Sequence, residues 1–184
     1  MSEVMEISSH KGTYQLIADV DVSIAIKDLD SEKCFWIVDK NISVLNYQLF
    51  DRLKGKVLVI EADEHAKDIW ALLPIIEKLL GLGLKRDCEL VAVGGGVIQD
   101  IVCFISSVYM RGITWRFFPT TLLAQADSCI GSKSSINLGE YKNTLGTFHA
   151  PAAIYQSNTF LQTLSATEIF SGIGEILKVC AIHN

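Results

Sequence analysis

Five short apolar runs alternate with longer amphipathic segments along this chain, and this alternation constrains the fold more than any other feature. The runs are CFWIVDK from residue 34, KVLVIEA from 56, ELVAVGG from 89, TWRFFPT from 114 and AAIYQS from 152. Strands that are apolar throughout are buried on both faces, and the segments between these runs are long enough for crossover helices. The sequence therefore predicts an α/β fold with a Rossmann-like, mostly parallel sheet and flanking helices.

The clearest helix between the strands is predicted over residues 66–83. Its apolar residues are spaced for one buried helical face, and they are Ile69, Leu72, Leu73, Ile76 and Leu80. Gly81 and Gly83 supply the stop that glycine commonly provides after a helix. Pro74 lacks an amide N–H, so it predicts either a kink or a late start of this helix.

The last segment, SATEIFSGIGEILKVCAIHN, starts at a predicted helix N-terminus. Ser165, followed three residues later by Glu168, forms a capping box. The helix is apolar on most sides, which is typical of a helix buried in a larger body. We therefore expect an α/β domain over residues 1–164 and the beginning of a helical domain over residues 165–184, with the rest of that domain beyond this sequence.

Charge and composition exclude several classes of protein. Lys plus Arg number 16 against 21 for Asp plus Glu, and the net charge of −5 argues against binding to nucleic acid or to acidic membrane surfaces. The N-terminal segment has two glutamates before any apolar run, unlike a signal or transit peptide, and no stretch approaches the roughly 18 apolar residues of a membrane helix. We expect a cytoplasmic protein whose five scattered cysteines are free thiols.

A triple glycine follows the third apolar run and opens the next predicted helix. Backbone amides at a helix N-terminus can approach a phosphate where no Cβ intervenes, so Gly94, Gly95 and Gly96 suit a pyrophosphate. Asp100 can contact such a ligand or complement the helix dipole. The same glycines also suit a plain structural turn, and they do not form the G-x-G-x-x-G fingerprint.

Polar residues follow two other predicted strands at the edge of the sheet where open α/β proteins bind ligands. Glu64 and Lys67 follow KVLVIEA, and Asp39 ends CFWIVDK, where it suits a ribose or adenine contact. Alternatively, Glu64 and Lys67 form an i, i+3 surface pair.

Basic side chains gather in the second half of the chain. Together with Arg111, the residues Lys133, Lys142 and Asn143 would form a pocket for an anion that carries phosphate and carboxylate, although a solvated loop also carries lysines. Asp127 has apolar neighbours in TLLAQADSCIG, which predicts a buried carboxylate that needs partners.

Glu175 and Lys178 lie one turn apart on one face of the last helix. Either the two residues form a buried helical pair, or Glu175 is a metal ligand and Lys178 a substrate contact. Their spacing alone does not distinguish these two interpretations. The histidines show no H-x-x-x-H or H-x-x-E pattern, so no complete metal site is visible in the sequence.

Several motifs in fixed order resemble the signature of 3-dehydroquinate synthase and its sugar-phosphate cyclase relatives. They are GGGVIQD, YMRG, PTTLLAQADS, GSKSSIN, KN, TL and GEILK, from about residue 56 to the end. The resemblance implies an α/β domain that binds NAD and a divalent metal, usually Zn²⁺ or otherwise Co²⁺, at the junction with a helical domain. It implies cyclisation of 3-deoxy-arabino-heptulosonate 7-phosphate, a seven-carbon sugar acid, to 3-dehydroquinate with loss of phosphate in the shikimate route to aromatic amino acids.

The same resemblance implies a role for individual residues. Those implied to hold NAD are Asp39, Glu64, Lys67, Gly95, Gly96, Asp100, Thr120, Thr121, Lys142, Thr163 and Leu164. Those implied to act on the substrate are Asp127, Lys133, Asn143 and Lys178, with Arg111 reaching its phosphate across a homodimer interface. Glu175 is implied to be the first metal ligand, and the other two ligands are implied to be histidines beyond Asn184.

The sequence also departs from the family pattern. Gln99 stands where the common pattern has glycine, and Ser132, Ser134 and Ser135 replace the usual residues around Lys133. These departures leave open a relative that acts on sedoheptulose 7-phosphate or on another sugar phosphate.

Two further functions share this architecture. A polyol dehydrogenase of the glycerol dehydrogenase type is disfavoured, because it has no substrate phosphate for the basic cluster to bind. A nucleotide-binding module without turnover is the third possibility. The 184-residue chain alone is expected to bind NAD weakly or not at all and to be inactive.

Overall fold

The computed structural model describes residues 3–9 and 12–183. Its strands are β1 (Glu3–Ser9), β2 (Gly12–Ala18), β3 (Cys34–Asp39), β4 (Lys56–Ile60), β5 (Glu89–Gly94), β6 (Thr114–Pro119), β7 (Ile136–Leu138), β8 (Tyr141–Leu145) and β9 (Ala153–Tyr155). Its helices are α1 (Val22–Leu29), α2 (Lys40–Leu45), α3 (Tyr47–Phe50), α4 (Ile69–Gly81), α5 (Gly96–Val108) and α6 (Ala166–His183). Short helical turns lie at Glu64–Lys67, Tyr109–Arg111, Ala124–Ser128 and Phe160–Thr163. Within the described ranges, no helix has the length and apolar character needed to cross a membrane.

One large sheet contains seven of the strands, in the order β1-β2-β9-β6-β5-β3-β4. β1 and β2 pair antiparallel, and the other neighbouring strands pair parallel. The predicted α/β class and the five predicted strands are confirmed. Apolar runs do not mark the β1–β2 hairpin or the separate β7–β8 hairpin, because most residues of β1 and β8 are exposed.

Side chains of β5 alternate between two buried layers, one on each face of the sheet. Leu90 and Ala92 belong to the layer that includes residues of α4 and α5. Val91 and Val93 belong to the opposite layer, which contains residues of α1 and α2. Because both faces are covered, the strand reads as a continuous apolar run.

The α4 helix begins at Ile69, because the side chain of Asp68 caps its first turn. It continues through Pro74 and ends at Gly81, and Gly83 follows with φ of +88°. The glycine stop is therefore confirmed. Pro74 lies inside the helix, after its first turn, so it does not mark a late start.

The buried face predicted for α4 is partly wrong. Leu73 and Leu80 are exposed, whereas Leu72 and Leu79 are fully buried. Leu72 and Leu79 are two turns apart, so the helix presents a narrower stripe to the core than the spacing of its leucines indicates.

The capping box at the start of α6 is confirmed. Ser165 donates from its backbone N and from Oγ to Oε2 of Glu168, over 2.8 and 2.7 Å. Farther along, Phe170, Leu177 and Ile182 are 63 to 77% exposed. The domain boundary at residue 165 stays a prediction.

Candidate active site

The turn between β5 and α5 requires glycine at residues 94 and 95, because other side chains lie close to both positions. A Cβ on Gly94 would lie 2.4 Å from Cγ1 of Ile98, and one on Gly95 would lie 3.0 Å from Cγ2 of Thr121. The φ of Gly95 is −85°, which other residues also adopt, so space rather than backbone conformation demands glycine there. With no Cβ in the way, the N–H groups at the start of α5 are open to a close ligand.

Two cavities adjoin this turn. The first, of about 460 Å³, is lined by five of the residues predicted to hold NAD, Asp39, Thr120, Thr121, Thr163 and Leu164. The second, of about 520 Å³, is lined by the predicted residues Gly96, Asp100, Asp127 and Lys133. Gly95 approaches Thr121 of the first cavity and Gly96 lines the second, so an elongated ligand that occupied both would cross the turn.

Two carboxylates approach each other at the first cavity. Asp39 caps α2, where Oδ1 accepts a hydrogen bond from Asn41 N over 2.7 Å. Burial raises the pKa of Asp39, and the negative charge of Glu168 adds to this effect. Both carboxylates line the cavity, where they suit the hydroxyl groups of a ribose.

Lys67 forms a buried ion pair with Asp100. The alternative prediction, a surface pair between Lys67 and Glu64, is therefore wrong. Lys67 is 7% exposed, and its Nζ lies 2.8 Å from Oδ2 of Asp100 and donates to Oδ1 of Asn143 over 3.2 Å. Oδ1 of Asp100 accepts from Ser135 N over 2.9 Å. Burial raises the pKa of Asp100, and the Lys67 ammonium opposes that rise.

Asn137 connects two residues that the sequence analysis places at the site. Its Oδ1 accepts from Asn143 N over 2.8 Å, and its Nδ2 donates to Oε1 of Glu64 over the same distance. Asn143 has φ of +55°, in the left-handed region that asparagine tolerates better than most residues. The β7–β8 hairpin is thereby fastened to the segment after β4.

Asp127 is exposed, so the predicted buried carboxylate is wrong. The turn at Ala124–Ser128 is a single wide helical turn, with Cys129 N donating to Ala124 O, and it presents Asp127 at the surface of the second cavity. An ion pair joins Glu175 and Lys178 of α6 nearby. Asp127 lies close enough to influence both pKa values. Lys178 lowers the pKa of Glu175, and Glu175 raises the pKa of Lys178, mainly through their direct contact.

The predicted metal ligand already binds a cation, the ammonium of Lys178. Oε1 of Glu175 is buried and forms an ion pair with Lys178. A carboxylate is a donor that divalent cations take, so the side chain fits a metal ligand once the ammonium has moved away. Across residues 3–9 and 12–183, no group of three or more His, Cys, Asp or Glu side chains forms a complete site.

Two of the predicted residues that line neither cavity are exposed on other elements. Lys142 is exposed on β8, and Arg111 is exposed beyond the C-terminal end of α5, opposite the glycine turn. Arg111 follows Met110, and both have positive φ, of 69° and 48°. The role of Arg111 at a homodimer interface stays a prediction.

Among the residues that line or brace the cavities, sequence reasoning did not assign Ser128, Asn137 or Glu168 to the site. Glu168 is recognised only as a helix cap, and no motif marks Asn137 as a bridge. Ser128 is bonded to Gln99, which the sequence marks as a departure but whose partner lies 29 residues away. Such contacts between distant segments have no local signature.

Comparison with known proteins agrees with the motifs. The family model described as 3-dehydroquinate synthase N-terminal matches residues 57–171. A 3-dehydroquinate synthase of Thermoanaerobacter pseudethanolicus is 39% identical over 161 residues, covering 84% of this chain and 45% of the relative. One from Helicobacter pylori is 41% identical over 152 residues, covering 80% and 44%. The chain thus spans about half the length of these relatives.

Solved structures show the same architecture. A 2-epi-5-epi-valiolone synthase from Streptomyces hygroscopicus, solved with NAD⁺ and Zn²⁺ bound, superimposes with a TM-score of 0.83 at 28% identity, over 97% of this chain and 51% of that one. A 2-deoxy-scyllo-inosose synthase shares the fold, with a TM-score of 0.81 at 22% identity over 93% and 51%. By the match to the family model, this chain belongs to the 3-dehydroquinate synthase family.

Proposed function

We propose that the chain is the dinucleotide-binding part of a 3-dehydroquinate synthase that acts on 3-deoxy-arabino-heptulosonate 7-phosphate. The observation that carries the proposal is the glycine turn with a cavity on each side, one lined by Asp39 and the other by Asp127 and Lys133. Relatives about 40% identical carry this name. We also propose that the whole protein is a cytoplasmic homodimer.

The two cavities suit the two ends of NAD. The carboxylates of Asp39 and Glu168 accept hydrogen bonds from the hydroxyls of the adenosine ribose, and the N–H groups at Gly95 and Gly96 face the pyrophosphate. The reactive end then lies in the second cavity, beside Asp127. When bound, NAD supplies reversible hydride transfer and a metal held by Glu175 supplies polarisation of a substrate oxygen.

The remaining residues bind and orient the sugar phosphate. Lys133 gives the second cavity a positive charge for an anionic group, and Asn143 is held in place by Lys67 and by Asn137. Lys178 lies at the Glu175 carboxylate, close to Asp127, where its ammonium donates to a substrate oxygen.

Phosphate release by the full-length protein, with NAD and Zn²⁺, tests the proposal. We expect NAD-dependent release from 3-deoxy-arabino-heptulosonate 7-phosphate without accumulation of NADH. Release from sedoheptulose 7-phosphate instead would keep the cyclase mechanism and change the substrate. Net accumulation of NADH with a polyol, and no phosphate release, would refute the proposal.

Lys133→Met provides a matched test of the second cavity. Loss of one charge-assisted contact should lower kcat/KM by about 10- to 100-fold. Lys27→Met removes an exposed lysine of α1, outside both cavities, and should leave kcat/KM unchanged.

A further inference from the structure

Gln99 is a buried amide in α5 that is bonded at both ends to one residue. It is 6% exposed. Its Nε2 donates to the backbone carbonyl of Ser128 over 2.5 Å, and its Oε1 accepts from Oγ of Ser128 over 2.9 Å. Two contacts to the same residue fix both Gln99 and the end of the turn that carries Asp127.

The carbonyl of Ser128 determines the direction of both hydrogen bonds. A carbonyl oxygen only accepts, so the nitrogen of the Gln99 amide must face it. The amide oxygen therefore faces the Ser128 hydroxyl, which must donate its single proton to Gln99. The hydroxyl oxygen keeps lone pairs but has no proton left for a ligand.

This fixed hydroxyl lies beside the glycine turn. Oγ of Ser128 is 3.9 Å from the position that a Cβ on Gly96 would occupy. Gln99, Ser128 and Gly96 all line the second cavity, together with Lys133. The cavity thus has a cationic side chain at Lys133 and a wall that accepts hydrogen bonds at Ser128.

We propose that Gln99 and Ser128 form a subsite that binds a hydrogen-bond donor of the ligand, a primary amide or a hydroxyl. This subsite disfavours a carboxylate or phosphate oxygen, which would face the lone pairs of Ser128. The inference rests on the proposed function, because the donor is either the nicotinamide carboxamide of NAD or a hydroxyl of the sugar phosphate.

Paired ligands that differ in the donor group test the subsite in the full-length protein. The first arm compares the Kd of NAD with that of nicotinic acid adenine dinucleotide, whose carboxylate replaces the carboxamide. The second arm compares the Kd of the sugar phosphate with the Kd values of its monodeoxy analogues, each of which lacks one hydroxyl. In the arm that contains the true donor, we expect the wild type to prefer the donor ligand by about 10-fold or more.

Gln99→Leu keeps a side chain of similar size and frees the hydroxyl of Ser128 to donate. In the same arm, we expect the preference to fall toward one, because Ser128 is no longer fixed as an acceptor and its hydroxyl can donate instead. A purely structural role for Gln99 would weaken both ligands of a pair and leave their ratio unchanged. Ser128→Ala removes the accepting oxygen and should also reduce the preference, which tests the subsite if Gln99→Leu does not fold.

Gln125→Leu is the matched control. Nε2 of Gln125 donates to two backbone carbonyls, of Pro119 and Ser157, each over 3.0 Å, and Gln125 does not line the second cavity. It should lower stability and leave both ratios unchanged. If neither Gln99→Leu nor Ser128→Ala changes the ratio of the two Kd values in either arm, the proposed subsite is refuted. A wild type that binds neither dinucleotide would refute the proposed function instead, and the sugar arm would then decide the subsite.

Discussion

Lys67→Met should cost more stability than most substitutions of a lysine in this chain. The side chains of Lys67 and Asp100 are only 9% and 19% exposed. Removal of one partner of a buried ion pair leaves an uncompensated charge and costs about 3–5 kcal/mol. Because Asp100 retains some exposure, we expect the lower end of this range, about 3 kcal/mol. For a chain of this length that corresponds to a fall in Tm of roughly 6–12 °C.

The loss of stability caused by Lys67→Met should depend on pH. Burial already raises the pKa of Asp100, and Lys67→Met removes the charge that opposes this rise. The folded carboxyl then keeps its proton at pH values where the unfolded chain, with a pKa of about 4, has released it. Stability therefore falls as the pH rises from the unfolded pKa to the folded pKa. The loss relative to wild type should therefore be smaller at pH 4.5 than at pH 8.

Urea and thermal unfolding, followed by circular dichroism at pH 4.5 and pH 8, measure this loss. Lys33→Met is the matched control, because Lys33 pairs with Asp87 at 2.6 Å but both side chains are more than 60% exposed. A surface pair of this kind is worth less than about 1 kcal/mol. A loss for Lys67→Met as small as that of the control, or equal at both pH values, would refute the buried ion pair as a determinant of stability.

Three further predictions concern α6 and the cysteines. Gly172→Ala should displace α6, because its Cβ would lie 2.6 Å from Cβ of Leu122. The Cβ of Gly174→Ala meets nothing within 4 Å, so this substitution should stabilise the helix by about 0.5–1 kcal/mol. Hydrogen exchange of the α6 amides measures both effects. Ser165→Ala should cost about 1 kcal/mol through loss of the helix cap, measured by urea unfolding. A thiol reagent at pH 8 should label only Cys180 in the native chain and all five cysteines in denaturant. The other four cysteines are buried, and burial raises the pKa of Cys34 and Cys129 to about 11 and that of Cys103 to about 12.

The strands of the parallel sheet were predictable because burial on both faces leaves a local signal. Val91 and Val93 face one layer and Leu90 and Ala92 the other, so the run contains no polar residue that could hide it. The cap of α6 at Ser165 was predictable for a similar reason, since its partner lies within one turn.

The sequence marks candidate positions for a site, but it does not predict the contacts among them. Asp127 has apolar neighbours in sequence, yet the wide turn that carries it exposes the carboxylate at a cavity. Lys67 has an acidic neighbour three residues away, yet it pairs with Asp100, which arrives from another strand and helix. Such pairings depend on the tertiary fold, and no spacing in the sequence encodes them.

One helix borders both parts of the candidate site. Glu168, in the first turn of α6, lines the first cavity, and Glu175 lies seven residues later, about 10 Å along the same face. Gly172 lies between them and is buried against Leu122, just before the turn that carries Asp127. The helix can approach that turn so closely only because residue 172 has no side chain. The placement of Glu175 beside Asp127 is therefore set by a contact at a glycine that has no chemical role of its own.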